Sequence, residues 1–318
     1  MCRHLAYLGP PATLRSVLID PPHGLYRQAW APRLMRHGTV NADGFGVGWY
    51  AAGDPAPARY RRTGPIWADE SLPDIARVTR SGAVLAAVRN ATEGMAPGER
   101  AAAPFASGPW LFSHNGVLKG WPASAAAKAD AVGAGAATLL SLEAVVDSAF
   151  LWALVRARLA AGQPLAAPTA GGALAAAPAA GGALAAALAE TIGAVEAAGG
   201  TGRFNFLLTD GQSIAATACG DTLWYRRGDG WVVVASEPGD DEPGWTEVPD
   251  RHVLSATSAR VSVRPLSASA STPTPTATAR SRPAPAGTAR RPRERHRAQA
   301  LSPNAPTTTS ATKGSVTG

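Results

Sequence analysis

Large apolar residues run through this chain as far as Leu266 and then all but stop. From Ser267 onward the sequence is Ser, Thr, Pro, Ala and Arg. That composition cannot bury enough apolar surface to offset the entropy of ordering it. Residues 267–318 are therefore expected to form a disordered tail, and any fold must be built from 2–266. The same break decides how charge is read. Of 30 basic and 23 acidic residues, eight and one lie in the tail, leaving 22 of each before it. The formal net charge of +7 thus belongs to the tail, and the folded part is expected to be neutral. The tail contains no Phe, Tyr or Trp on which bases could stack, so nucleic-acid binding is not expected.

Before the tail, short apolar runs suit buried strands: Cys2 to Leu8, FGVGWY at 45–50, Ala83 to Val88 and Trp110 to Phe112. Apolar residues at helical spacing, Leu142, Val145, Val146, Phe150, Leu154 and Val155, predict a helix from Ser141 to Leu159. The octet AGGALAAA occurs at 170–177 and again at 180–187. Two copies are too few for a solenoid, so 165–190 reads as an Ala/Gly-rich, partly helical insertion. From Gly202 to Leu266 the runs FNFLLTDG, SIAAT, TLWYR, WVVVAS, RHVLS and RVSVRPL predict antiparallel strands joined by hairpins.

The start, MCRHLAYLGPP, has no apolar segment ahead of a cleavage site and does not read as a signal peptide. The most apolar stretch, Ala173 to Ala189, is interrupted by Pro178, Gly181 and Gly182, which argues against a membrane span. Two cysteines, Cys2 and Cys219, give no disulfide framework. A cytoplasmic location is expected. The six histidines (His4, His23, His37, His114, His252, His296) show no ligand spacing, so neither a metal nor another cofactor is expected.

Four separated features carry chemistry. Met1-Cys2 would expose a thiol and an α-amine on one residue after Met removal. With an ordinary pKa of about 7.7–8.0, that amine can serve as general base for its own thiol. Arg89, after AVLAAV, offers a planar fork for a carboxylate. Asn115 and Gly116, in Ser-His-Asn-Gly after WLF, can supply a side-chain and a backbone donor to an oxyanion. Asp147 places a charge inside the predicted helix, where it could hold an ammonium. Singly, each has a plain structural explanation: a chance cysteine, a solvated arginine, an Asn-Gly turn, a surface aspartate.

In this order the four resemble the class II glutamine amidotransferase group of N-terminal-nucleophile hydrolases, on Cys2, Arg89-Asn90-Ala91-Thr92, His114-Asn115-Gly116 and Asp147-Ser148. The segments MCRHLAYLG, NADGFGVGWY, RNAT, LTDG, GDTLWYR and ASEPGDDEPGW are similar, more narrowly, to the γ-glutamyl hercynylcysteine S-oxide hydrolases of actinobacterial ergothioneine biosynthesis. The resemblance covers about 2–266. It implies an α+β fold, a four-layer αββα sandwich. It also implies a small-molecule γ-glutamyl substrate, with Cys2 as nucleophile and Asn115 and Gly116 as oxyanion donors. Arg89 and Asp147 would bind the glutamyl α-carboxylate and α-ammonium, and Asn90 and Thr92 would shape the pocket. Many relatives carry Glu two residues after the motif Asp, where this chain has Ala149. The competing expectations are a glutaminase serving a partner synthase and a non-catalytic module of the same fold. The oligomeric state stays open. Trp30, Trp49 and Trp121 lie near the motif segments, and core packing is the expected role of at least two of them.

Overall fold

The computed structural model describes residues 2–91, 98–162 and 181–266, all within one unit. Thr92 and the expected tail lie outside the described residues.

In chain order the elements are β1 (Arg3–Thr13), α1 (Leu14–Leu18), α2 (Leu25–Gln28), β2 (Phe45–Trp49), β3 (Ala58–Arg62), α3 (Leu72–Val78), β4 (Arg80–Val88), β5 (Phe105–Ser107) and β6 (Trp110–Leu118). Then come α4 (Ala123–Ala126), α5 (Ala136–Leu140), α6 (Asp147–Gly162), α7 (Gly182–Ala197), β7 (Gly202–Thr209), β8 (Ile214–Ala218), β9 (Trp224–Gly228) and β10 (Trp231–Ala235). β11 (Thr246–Glu247), β12 (His252–Ala256) and β13 (Val261–Pro265) complete the fold. The strands form two antiparallel sheets. One has the order β11-β9-β10-β1-β4-β2-β3, the other β13-β12-β8-β7-β6-β5.

Three apolar layers follow from the side-chain alternation of the strands. Leu5 of β1 and Phe45 and Val47 of β2 pack outward under Leu14, Leu18, Leu25 and Leu72 of α1–α3. Ala6, Leu8, Leu111, Leu207, Ile214 and Val234 fill the space between the sheets. Phe112, Phe204, Phe206 and Leu208 face α6 and α7 on the far side. Phe112 stacks on Trp152 of α6 with ring centroids 5.2 Å apart. This is the expected αββα arrangement. The two glycines of FGVGW explain how closely its layers approach. A Cβ on Gly46 would lie 2.3 Å from the Ala103 carbonyl oxygen, and one on Gly48 would lie 2.7 Å from Leu111 Cδ1.

The strand expectations hold, with corrections of extent. The run starting at Trp110 continues to Leu118, so His114-Asn115-Gly116 lies within β6 and forms no turn. The helix predicted from Ser141 starts at Asp147. Val145, counted in its apolar stripe, is 64 % exposed. Asp147 begins the helix because its carboxylate accepts from Ser148 N at 2.7 Å, favourable at the positive end of a helix dipole. Of the stretch read as an insertion, 165–180 lies outside the described residues. From Gly182 it belongs to α7, whose Leu184, Leu188, Ile192 and Val195 are buried in the helix layer.

Candidate active site

The register of the first sheet sets two predicted residues side by side. β1 pairs with β4 so that Arg3 lies opposite Val88; one residue further on, Cys2 neighbours Arg89. Phe45 of β2 also pairs with Val88, which brings an aromatic ring to the same sheet edge. From the second sheet β6 supplies Ser113, His114 and Gly116, and the start of α6 supplies Asp147 and Ser148. These residues, with Asn90, line one open cleft of about 520 Å³. The sequence-predicted Cys2, Arg89, Asn90, Gly116 and Asp147 are thus gathered round one space, although up to 145 positions separate them.

Asn115 is placed differently. It alternates with His114 and Gly116 and faces the layer between the sheets, where it is fully buried and does not line the cleft. Its Nδ2 reaches Ser236 Oγ at 3.5 Å, and its Oδ1 has no hydrogen-bond partner. Ser236 Oγ also accepts from His4 N at 3.0 Å. His4 Nδ1 and Ser113 Oγ lie 3.2 Å apart. His4, Ser113, Asn115 and Ser236 therefore form a buried polar cluster directly behind the cleft. Burial pushes the His4 imidazole down to about 3, with His114 and Arg3 acting in the same direction, so it is neutral at physiological pH.

His114 sits on the cleft side. Its Nε2 donates to the Arg203 carbonyl at 2.9 Å, which leaves Nδ1 to accept from Ser148 Oγ at 3.0 Å. Burial holds this imidazole below the ordinary histidine range, and the Asp147 carboxylate opposes that shift only in part. Asp147 is 5 % exposed and accepts from Leu118 N at 2.9 Å. Backbone donors thus hold both carboxylate oxygens, Leu118 N at Oδ2 and Ser148 N at Oδ1, and the residue also lines the cleft. Gly116 is required by packing: a Cβ there would sit 2.0 Å from the Arg203 carbonyl oxygen.

Sequence reasoning missed His4, Ser113, Ser148 and Ser236. The one available signal was the polar Ser113 and Asn115 on the inward face of an otherwise apolar strand. Ala149, where many relatives carry Glu, is buried among apolar residues of the helix layer and leaves no charge there. The tryptophans pack: Trp30 lies edge-on to Tyr26 and Trp67, Trp49 joins the layer under α1–α3, and Trp121 meets Phe150. None of the three lines the cleft.

No family model matches the chain. It is 38 % identical over 268 residues to the gamma-glutamyl-hercynylcysteine sulfoxide hydrolase of Mycolicibacterium smegmatis, a match covering 84 % of this chain and 100 % of that protein. It is 39 % identical over 269 residues to the protein of the same name from Mycobacterium tuberculosis, covering 84 % and 97 %. Among solved structures it is similar to a glutamine aminotransferase class-II domain protein from Silicibacter pomeroyi. The TM-score is 0.55 at 26 % identity, over 84 % of this chain and 100 % of that one. The glutamine phosphoribosylpyrophosphate amidotransferase of B. subtilis shares the fold at TM-score 0.54 and 16 % identity, over 84 % of this chain and 49 % of that one.

Proposed function

The chain belongs to the gamma-glutamyl-hercynylcysteine sulfoxide hydrolase family, and from that premise we propose how its cleft hydrolyses the γ-glutamyl amide. It is an amidohydrolase that releases glutamate and hercynylcysteine sulfoxide. The observation that carries the substrate is the identity to curated hydrolases over essentially their whole length. The gathering of Cys2, Arg89, Gly116 and Asp147 round one cleft supports the mechanism.

Removal of Met1 frees the Cys2 amine, which takes the thiol proton as Sγ attacks the γ-carbonyl. The oxyanion that forms is held by Gly116 N–H and Asn115 Nδ2. Asn115 reaches it from the interlayer side, steadied by Ser236. Arg89 binds the α-carboxylate of the glutamyl group and Asp147 its α-ammonium; Asn90 and Thr92 complete that pocket. On collapse the C–N bond breaks, the leaving amine takes the proton, and a thioester remains. Water then attacks the thioester, giving glutamate and restoring the thiol.

The glutamyl half is common to this substrate and to glutamine, so these residues cannot separate the two. Turnover of both by the Met1-processed protein, measured side by side, tests the assignment. A much larger kcat/KM for the sulfoxide conjugate is expected, and equal values would overturn it in favour of a glutaminase.

Residues 2–266 are proposed to suffice for folding and hydrolysis, with 267–318 a disordered appendage. Truncation after Leu266 should leave Tm and kcat/KM unchanged. A cytoplasmic location fits the two free thiols, Cys2 and Cys219. Among the described residues no helix is long and apolar enough to cross a membrane.

A further inference from the structure

We propose that Glu237 is a positioning residue: acting through the loop 31–44, it sets Arg89 in place and with it the affinity for the glutamyl group. The proposal rests on the reading of Arg89 given above. Glu237 follows β10 and is 0 % exposed. A carboxylate withdrawn from water is unfavourable unless its oxygens are used. Here Oε1 accepts from Arg33 N at 3.0 Å and Oε2 from Leu34 N at 2.5 Å, and Arg3 Nε lies 4.0 Å away. Four residues on, Asp241 takes the Arg33 guanidinium at 2.6 Å. The segment 237–241 therefore grips the near end of the loop by backbone and by side chain.

The far end of the same loop holds the cleft wall. Asp43 N donates to the Arg89 carbonyl at 2.9 Å, and Asp43 Oδ2 accepts from Ala91 N at 2.8 Å. Arg89 N in turn donates to the Gly44 carbonyl at 2.7 Å. Between the two ends, Gly38 takes φ +85° and runs so close to Asn90 that a Cβ would lie 2.9 Å from its Nδ2. Three consecutive cleft residues, 89–91, are thus braced by a loop whose other end is fixed on Glu237. Two successive N–H groups need two acceptors. A carboxamide offers one and turns an NH2 toward the other donor, so glutamine does not replace glutamate here.

The test uses the full chain with Met1 removed and the variants Glu237→Gln and Leu34→Pro. The second deletes one donor and leaves the Glu237–Arg3 pair intact. Since the brace acts on the glutamyl pocket and not on the thiol, KM should rise about tenfold for glutamine and for the sulfoxide conjugate alike, with kcat changed less than about threefold. Amide exchange across 31–44 should quicken, and alkylation of Cys2 by iodoacetamide should keep its rate. Unchanged KM in both variants overturns the proposal. So does a KM rise without faster exchange of the loop, or one accompanied by a slowed alkylation. Arg89→Ala is the reference. If it leaves KM unaltered, the assignment of Arg89 fails and this proposal with it; if it raises KM while both loop variants do not, the proposal alone fails.

Discussion

Along β1, β6 and β10 the space between the two sheets changes character within a few residues. Toward the far end of β1 it is filled by Leu8, Ala83, Leu111, Leu207 and Val232, all apolar and buried. Toward Cys2 the same strands contribute His4, Ser113, Asn115 and Ser236, all polar and equally buried. The first end gains from every methylene withdrawn from water, roughly 0.8 kcal/mol each. The second keeps buried polar atoms, Asn115 Oδ1 and His4 Nε2, without a hydrogen bond to offset desolvation. One end of the layer stabilises the fold, and the other gives up stability to keep donors behind the cleft.

Substitutions at the two ends should therefore separate activity from stability. The largest effect is expected for Cys2→Ala, a loss on the order of 10⁴-fold or more in kcat with Tm little changed, checked by burst and steady-state assays. Full activity in that variant would remove the nucleophile assignment. Next, Asn115→Ala should lower kcat by about 10²–10³-fold, the worth of one oxyanion donor. Arg89→Ala and Asp147→Ala should each lose about 2–5 kcal/mol of transition-state binding, read as kcat/KM. At the apolar end Leu207→Ala should destabilise by about 2–5 kcal/mol in urea titrations, while each folded molecule keeps its kcat. If that variant lost kcat instead, the division between the two ends would be wrong.

The smallest effect concerns pH. Unfolded, His4 takes a proton near pH 6.5; folded, it resists protonation down to about 3. Its contribution is complete above about pH 6.5 and is lost as pH falls from there toward 3, at up to about 1.4 kcal/mol per unit. His114, also lowered by burial, acts in the same sense. His4→Asn should flatten the urea midpoint between pH 6.5 and 4.5 relative to the unsubstituted chain.

Much of the cleft was legible because its residues are of uncommon type at fixed places: a cysteine after Met1, an arginine closing an apolar run, Asn-Gly after WLF. The sheets were legible from alternation. What escaped notice depended on which way side chains turn. Asn115 turns into the layer between the sheets while His114 turns toward Ser148 of α6, because a strand alternates, so one motif is split between two layers. α7 was read only as the end of a partly helical insertion because of its Ala and Gly composition, although Leu184, Leu188, Ile192 and Val195 carry a helical period as far as the core helix extends. The opposite error came before Asp147, where Leu142 and Val145 mimic that period outside any helix, Leu142 packed against the core and Val145 exposed. Glu237 gave no signal, since its partners are backbone groups some 200 positions away.

The central place of β1, between β10 and β4, has a consequence for synthesis. His4 N meets Ser236 Oγ across 232 positions. During translation at about 5–20 residues per second, the strand bearing Cys2 waits roughly 10–50 s for its second neighbour. Through that interval the β1 edge is open, and long-range closure of this kind is slow and prone to aggregation. Slowed initiation or lower growth temperature should favour soluble yield. Incomplete chains ending before β10 should carry every residue that lines the cleft on a β1 strand paired on one side only, so the strand bearing Cys2 is held from both sides only on finished molecules.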